Sequence, residues 1–172
     1  MIKILVATDE EYALAKKYIS GIEIIKTGVG ASNVIKVCSN LSYKDNIINI
    51  GFCGSTNIPV GTVCRVNRSH RLMDDTVQFE DYRNGFELCT VGVPCYTSNS
   101  FVTHTFMEGS ILFDMELNYI VAFPFRTLGA IKIVSDNLNV EEYAQNIVKS
   151  EEETWAAVNK LIYKIGAERG ML

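Results

Sequence analysis

Leu128-Gly129-Ala130-Ile131-Lys132-Ile133-Val134-Ser135-Asp136-Asn137 is the stretch on which the fold turns. It is mostly apolar, with β-branched Ile and Val towards its end, the pattern of a strand buried on both faces of a mainly parallel sheet. The run stops at the small polar residues Ser135, Asp136 and Asn137. In open α/β sheets ligands gather at the carboxyl ends of strands, so Asp136 stands where a carboxylate can do chemistry. Ser, Asp and Asn also favour helix N-caps, and on position alone the cap of the next helix comes first as the reading of Asp136.

Downstream, Val140 to Ala167 reads as one or two closing helices, with Trp155, Val158, Leu161, Ile162 and Ile165 at helical spacing as a buried stripe. Upstream, strands again end in small residues. Ile2 to Ala7 is a first strand, and Thr8 with Glu11 fits a capping box at the start of a helix. Glu11 is therefore either a cap residue or an acid placed at a strand's carboxyl end. Ile22 to Ile25 is a second strand, and Thr27-Gly28-Val29-Gly30 turns it into a helix running through Cys38. The third glycine of a dinucleotide fingerprint is missing there, and so is the Gly-Lys-Ser/Thr of a P-loop.

Ile47 to Ile50 is a third strand, expected to bend into a loop at Gly51-Phe52-Cys53-Gly54-Ser55, where a ligand can lie against the main chain. Val63 to Arg68 alternates like a strand with one wet face, and the polar stretch from Thr76 to Asn84 reads as a loop. Phe86 to Val91 reads as a strand that Pro94-Cys95-Tyr96-Thr97 extends, ending at Ser98-Asn99-Ser100-Phe101-Val102. Phe101 is by residue type a core side chain before it is a ligand platform. Ile111 to Ala122 is a short strand running into a helix that Pro124 ends. Glu116 lies inside that apolar segment, and burying a carboxylate there is costly unless it is hydrogen-bonded or used. The fold class that follows is α/β: a single domain over residues 1–172, with a mixed, mainly parallel central sheet and flanking helices.

The 172 residues are 48% hydrophobic and 21% charged, an ordinary globular composition with length enough for a substantial core. A net charge of −4 leaves no basic footprint for nucleic acid or anionic membranes. No apolar run reaches the length of a membrane span, and the start of the chain is too short for a signal peptide. The five cysteines are scattered and contain no C-x-x-C, which indicates neither a disulfide framework nor a zinc site. A cytoplasmic protein with reduced thiols and no metal or cofactor is expected.

Taken together and in this order, the segments resemble the nucleoside phosphorylase/nucleosidase superfamily, nearest to the methylthioadenosine/S-adenosylhomocysteine nucleosidases. The resemblance rests on Thr27-Gly28-Val29-Gly30 with Asn33, Asn49-Ile50-Gly51-Phe52-Cys53-Gly54, Val60-Gly61-Thr62-Val63 with Asp74-Asp75, Ser98 to Val102, Asp114-Met115-Glu116 and Val134-Ser135-Asp136. It implies a phosphorylase/hydrolase-like fold and hydrolysis of the N-glycosidic bond of a purine nucleoside, with 5′-methylthioadenosine or S-adenosylhomocysteine as candidates.

In that reading Asp136 is the general acid that protonates the departing purine, and Glu11 activates the attacking water. Glu116 accepts the ribose hydroxyls, Met115 packs beneath the ribose, Phe101 stacks on the base, and the main chain at Val102 reads its edge. Cys53, Gly54 and Ser135 complete the substrate site. The resemblance also implies a homo-oligomer, a dimer or larger, in which His70, Arg71 or His104 can reach a neighbour's pocket.

Family phosphorylases hold their phosphate with an arginine and a serine where this chain has Asn49 and Phe52, so the resemblance favours water as the nucleophile. Phosphorolysis and a non-catalytic nucleoside-binding protein are the alternatives. Phe52, in place of a small residue, can fill part of the pocket.

Overall fold

The computed structural model describes residues 2–72, 85–148 and 152–170. In chain order these hold β1 (Ile2–Val6), α1 (Asp9–Tyr18), β2 (Glu23–Lys26), α2 (Ala31–Cys38), β3 (Asn46–Gly54) and β4 (Val63–Arg71). After them come β5 (Phe86–Glu87), β6 (Val93–Thr97), β7 (Leu112–Asp114), α3 (Leu117–Val121), β8 (Thr127–Asp136), α4 (Val140–Val148) and α5 (Glu152–Glu168). Asp74, Asp75 and the loop expected from Thr76 to Asn84 lie outside the described residues.

The quoted run is β8, and every residue from Gly129 to Asp136 is buried. It is parallel to β3 along its length and antiparallel to β4 at its centre. A strand pinned on both edges and covered on both faces needs the continuous apolar run seen in the sequence. β3 has β8 along one edge, while its other edge is shared, β1 pairing with Asn46–Asn49 and β7 with Gly54 alone. Because β7 pairs β6, β6 pairs β4, and β4 returns to β8, the mixed sheet closes a ring of β3, β7, β6, β4 and β8. β2 and β1 extend it beyond β3, and β5 hangs on β4.

Strand alternation sorts the core. Ile48, Ile50 and Phe52 of β3 and Ile131 and Ile133 of β8 face Ala15 of α1 and Trp155, Val158, Ile162 and Ile165 of α5. The residues between them point the other way. Cys53, Ala130 and Val134 pack with Cys64, Val66, Cys95 and Leu112, so side chains from all the ring strands fill its interior. Leu161, expected in the buried stripe of α5, is only half-buried at its flank.

Two expectations change. Gly51 to Gly54 does not leave the sheet, because β8 pairs alongside it and holds β3 in the sheet to Gly54, with a register shift between Cys53 and Gly54. The strand expected over 86–91 shrinks to Phe86–Glu87, and β6 is a separate strand, parallel to β4 rather than a continuation of β5. Val91, at 76% exposure, has no sheet partner to bury it.

Candidate active site

The ends of β1, β3, β7 and β8 open on one cavity of about 230 Å³. Glu11 reaches it from the first turn of α1. The capping box is present: Thr8 Oγ1 accepts the Glu11 N–H at 3.1 Å, and Glu11 Oε2 accepts the Thr8 N–H at 3.1 Å. The same Oε2 accepts the Ala7 N–H at 2.6 Å, and Oε1 accepts the Phe52 N–H at 2.8 Å. The cap reading and the site reading of Glu11 are thus one geometry, a buried carboxylate fastened by main-chain donors from β3 and from the β1–α1 turn.

Glu116 occupies the N-cap position of α3 but does not cap it; Asp114 Oδ2 instead accepts the Leu117 N–H at 3.0 Å. That frees Glu116 to face the cavity, where its Oε1 accepts the Gly30 N–H at 3.1 Å from the glycine turn after β2. Burial, followed by the nearby Asp114 carboxylate, pushes the Glu116 carboxyl up to about 7, against the opposing pull of Lys132.

At the end of β8 a register shift lets Asp136, rather than Ser135, pair with Gly54. Asp136 Oδ1 accepts the Leu138 N–H at 2.9 Å and Oδ2 accepts the Ser135 hydroxyl at 2.8 Å. Burial raises its pKa above the usual carboxylate range, and these hydrogen bonds restrain the rise. The helix-cap expectation for Asp136 fails. Asn139 Oδ1 accepts the Glu141 and Glu142 N–H groups and caps α4 in its place. The close pass of Asp136 explains a glycine at 54, since a Cβ there would lie 2.9 Å from Asp136 Oδ1 and 2.8 Å from Leu138 Cδ2.

Met115, Phe101, Val102, Cys53 and Gly54 also line the cavity. Phe101 is half-buried and meets Tyr143 edge-on at 5.8 Å. Burial pushes the Cys53 thiol well above its ordinary value and keeps it neutral. Ser135 does not line the cavity. It lies behind it, its hydroxyl within reach of the Cys53 carbonyl and Asp136 Oδ2, and it positions the acid. Phe52 borders the cavity, but β-strand alternation turns its ring towards α1 and α5, so the space stays open. His70 is buried and stacked on Tyr96 at 4.7 Å, and His104 is exposed.

Sequence reasoning missed Lys132, Asp114 and Tyr143 as parts of this site. Lys132 is 1% exposed, has the strand parity of Ala130 and Val134, and pairs with Asp114 at 2.6 Å. Burial opposes its charge, yet Asp114 and its other anionic neighbours hold its pKa above the ordinary lysine value. A Cβ on Gly51 would lie 3.0 Å from Glu11 Oε1 and 3.4 Å from Lys132 Nζ, so the ammonium and the Glu11 carboxylate flank one small gap. The signal for Lys132 was present as a lone charge in a doubly buried strand, which requires a partner. Nothing local marked Tyr143, which α4 carries onto the cavity wall.

No family model matches the sequence, and no curated protein matches it. Solved structures do. The MTAN of Chlamydia trachomatis superposes with a TM-score of 0.75 at 18% identity, covering 95% of this chain and 97% of that one. This is the nucleosidase fold. The 5′-methylthioadenosine/S-adenosylhomocysteine nucleosidase of S. pneumoniae matches at TM-score 0.69 and 18% identity over 91% of this chain and 95% of its own. The Helicobacter pylori nucleosidase matches at 0.66 and 12% over 95% and 97%. The Chlamydia protein has been solved bound to adenine, and an Asp-to-Asn variant of it bound to MTA. The nucleosidase fold is therefore present over nearly the whole chain.

Proposed function

We propose that this protein hydrolyses the N-glycosidic bond of a purine nucleoside, with an adenine nucleoside as substrate. The observation that carries the reading is the meeting of Glu11, Glu116 and Asp136, distant in sequence, around one cavity. Asp136, its pKa raised, gives its proton to the purine ring as the bond to the ribose breaks, so that the base leaves neutral. The ribose passes through an oxocarbenium-like state, which the Glu116 carboxylate stabilises while accepting the sugar hydroxyls. A carboxylate offers about four acceptor sites, and main-chain donors occupy three on Glu11. The remaining site takes the proton of a water that attacks the anomeric carbon. The products are purine and free ribose.

Water rather than phosphate is the nucleophile because no Lys, Arg or His lines the cavity among the described residues. Asn49, where phosphorylases carry arginine, directs its amide to the Leu5 carbonyl. Assembly into a homo-oligomer belongs to the same reading, and light scattering checks it.

Adenine release, followed with a coupled assay, tests the chemistry. Asp136→Asn should lower kcat by about a hundredfold to ten-thousandfold, with turnover in the wild type unaffected by removing phosphate. Equal rates in the two proteins, or strict dependence on phosphate, would overturn the proposal.

A further inference from the structure

One wall of the cavity is built from irregular chain. Ser100, Phe101 and Val102 line the space, and from Ser98 to Glu108 the backbone is neither helix nor strand. Such a segment keeps its shape through a small number of anchoring contacts. Phe101 meets Tyr143 edge-on, and Val102 packs on the cluster of Tyr96, Phe113 and Leu138. Apolar contacts of this kind are non-directional and do not by themselves fix the main chain. The directional anchors lie at the start of the segment, where the end of β6 is tied to α3. The Ser98 N–H donates to the Asp114 carbonyl at 2.9 Å, and the Asn118 N–H donates to Thr97 Oγ1 at 2.9 Å. Next along, the Tyr119 hydroxyl donates to Asn99 Oδ1. Neither Tyr119 nor Asn99 lines the cavity itself.

Tyr119 is itself held from two sides. Its ring is buried, with the Arg71 guanidinium 5.3 Å from the ring centre, a distance at which cation and ring attract. Arg71 stands opposite Thr97 in the β4–β6 register, so strand pairing sets where that cation sits. The Tyr119 N–H donates to the Glu116 carbonyl at 3.0 Å, three residues back. The short helix α3 therefore joins two parts of the lining, the Glu116 carboxylate and the 100–102 segment. We infer that Tyr119 is a positioning residue of this site: through Asn99 it fixes the wall formed by Ser100, Phe101 and Val102, and so sets how tightly a ligand is held without taking part in bond breaking. Its effect on a substrate rests on the nucleosidase reading, whereas its hold on the wall does not.

Variants of the full chain test this. Tyr119→Phe removes the hydroxyl and keeps the ring that packs in the core and faces Arg71. Asn99→Ala removes the acceptor from the other side, and Asn99→Asp keeps one. Hydrogen exchange in the free protein should speed up about threefold to tenfold at residues 100–102 in Tyr119→Phe and Asn99→Ala, the scale of one hydrogen bond. Asn99→Asp should keep the wild-type exchange pattern. In the first two variants KM and the calorimetric dissociation constant for 5′-methylthioadenosine should rise by the same factor, with kcat unchanged. The double variant Tyr119→Phe/Asn99→Ala should be no worse than either single one, because both break the same bond.

Unchanged exchange in Tyr119→Phe would overturn the inference, as would additive effects in the double variant. Faster exchange with an unaltered dissociation constant would overturn it too, by showing that this wall does not hold the ligand. A fall in kcat at constant KM would give Tyr119 a share in the chemistry and refute the positioning role. If the wild type binds no nucleoside, the nucleosidase reading fails, and exchange in the single variants alone decides whether Tyr119 fixes the wall.

Discussion

Lys132 is the residue whose removal should cost the fold most directly. Its ammonium and the Asp114 carboxylate are 1% and 0% exposed, and Asp114 Oδ1 also accepts the Thr97 hydroxyl at 2.6 Å. Lys132→Met strands Asp114 as an uncompensated buried charge and should destabilise the protein by about 3–5 kcal/mol. Adding Asp114→Asn to that variant should recover part of the loss, because the stranded charge is gone. Urea unfolding of the three proteins measures both, and a loss below about 1 kcal/mol in the single variant would refute the assignment. Glu116 was legible in the sequence by this same logic, as an acid in an apolar segment. Lys132 carried the same signal, but its partner could not be named, because Asp114 comes from a strand of only three residues whose register no local pattern specifies. Glu11 was legible twice over, once as a cap and once as an acid at a strand end, and the two descriptions fit one side chain.

Among the elements, α4 illustrates how a shift of three residues in a cap changes a reading. Asp136, Asn137 and Asn139 are all good capping residues by type. The last holds the helix, and the first is freed for the cavity. Asn139→Ala should cost about 1 kcal/mol of stability. Since α4 carries Tyr143 to the cavity wall, the variant should also raise KM more than it lowers kcat. Thermal unfolding and steady-state kinetics check the pair of effects, and an unchanged melting temperature would show that the cap carries no load. The long apolar strand β8 was readable from its residue pattern, and β3 as far as Ile50. The separation of β5 from β6 was not, because whether β6 continues a hairpin or pairs in parallel with β4 is decided by Ser69, His70 and Arg71, well upstream of it.

For the whole molecule, the acids set a dependence of stability on pH. In the free protein Glu116 holds its proton up to about 7, whereas an ordinary glutamate releases it near 4.5. Between those values the folded chain binds more protons than the unfolded one, so this group makes stability fall as pH rises through that window. Asp136, also raised, acts with the same sign. The unfolding midpoint should therefore decline between about pH 5 and pH 8, and Glu116→Gln should flatten the decline. An identical slope in the variant would show that Glu116 does not carry the effect. If the protein acts on a nucleoside as proposed, with Glu116 accepting the ribose hydroxyls, that ligand should bind more tightly as pH passes upward through about 7.

The mixed α/β class was readable from alternating strand and helix signals, but closure of the sheet was not. It depends on the single Gly54–Phe113 pairing of β3 with β7. That closure leaves little unpaired backbone at the periphery. Among the described residues the free borders belong to β2, four residues bounded by Glu23 and Lys26, and to β5, only two residues long. Neither offers a neighbouring molecule a long uncharged template to dock a strand on, so crowding should not drive the folded protein into strand-to-strand aggregates.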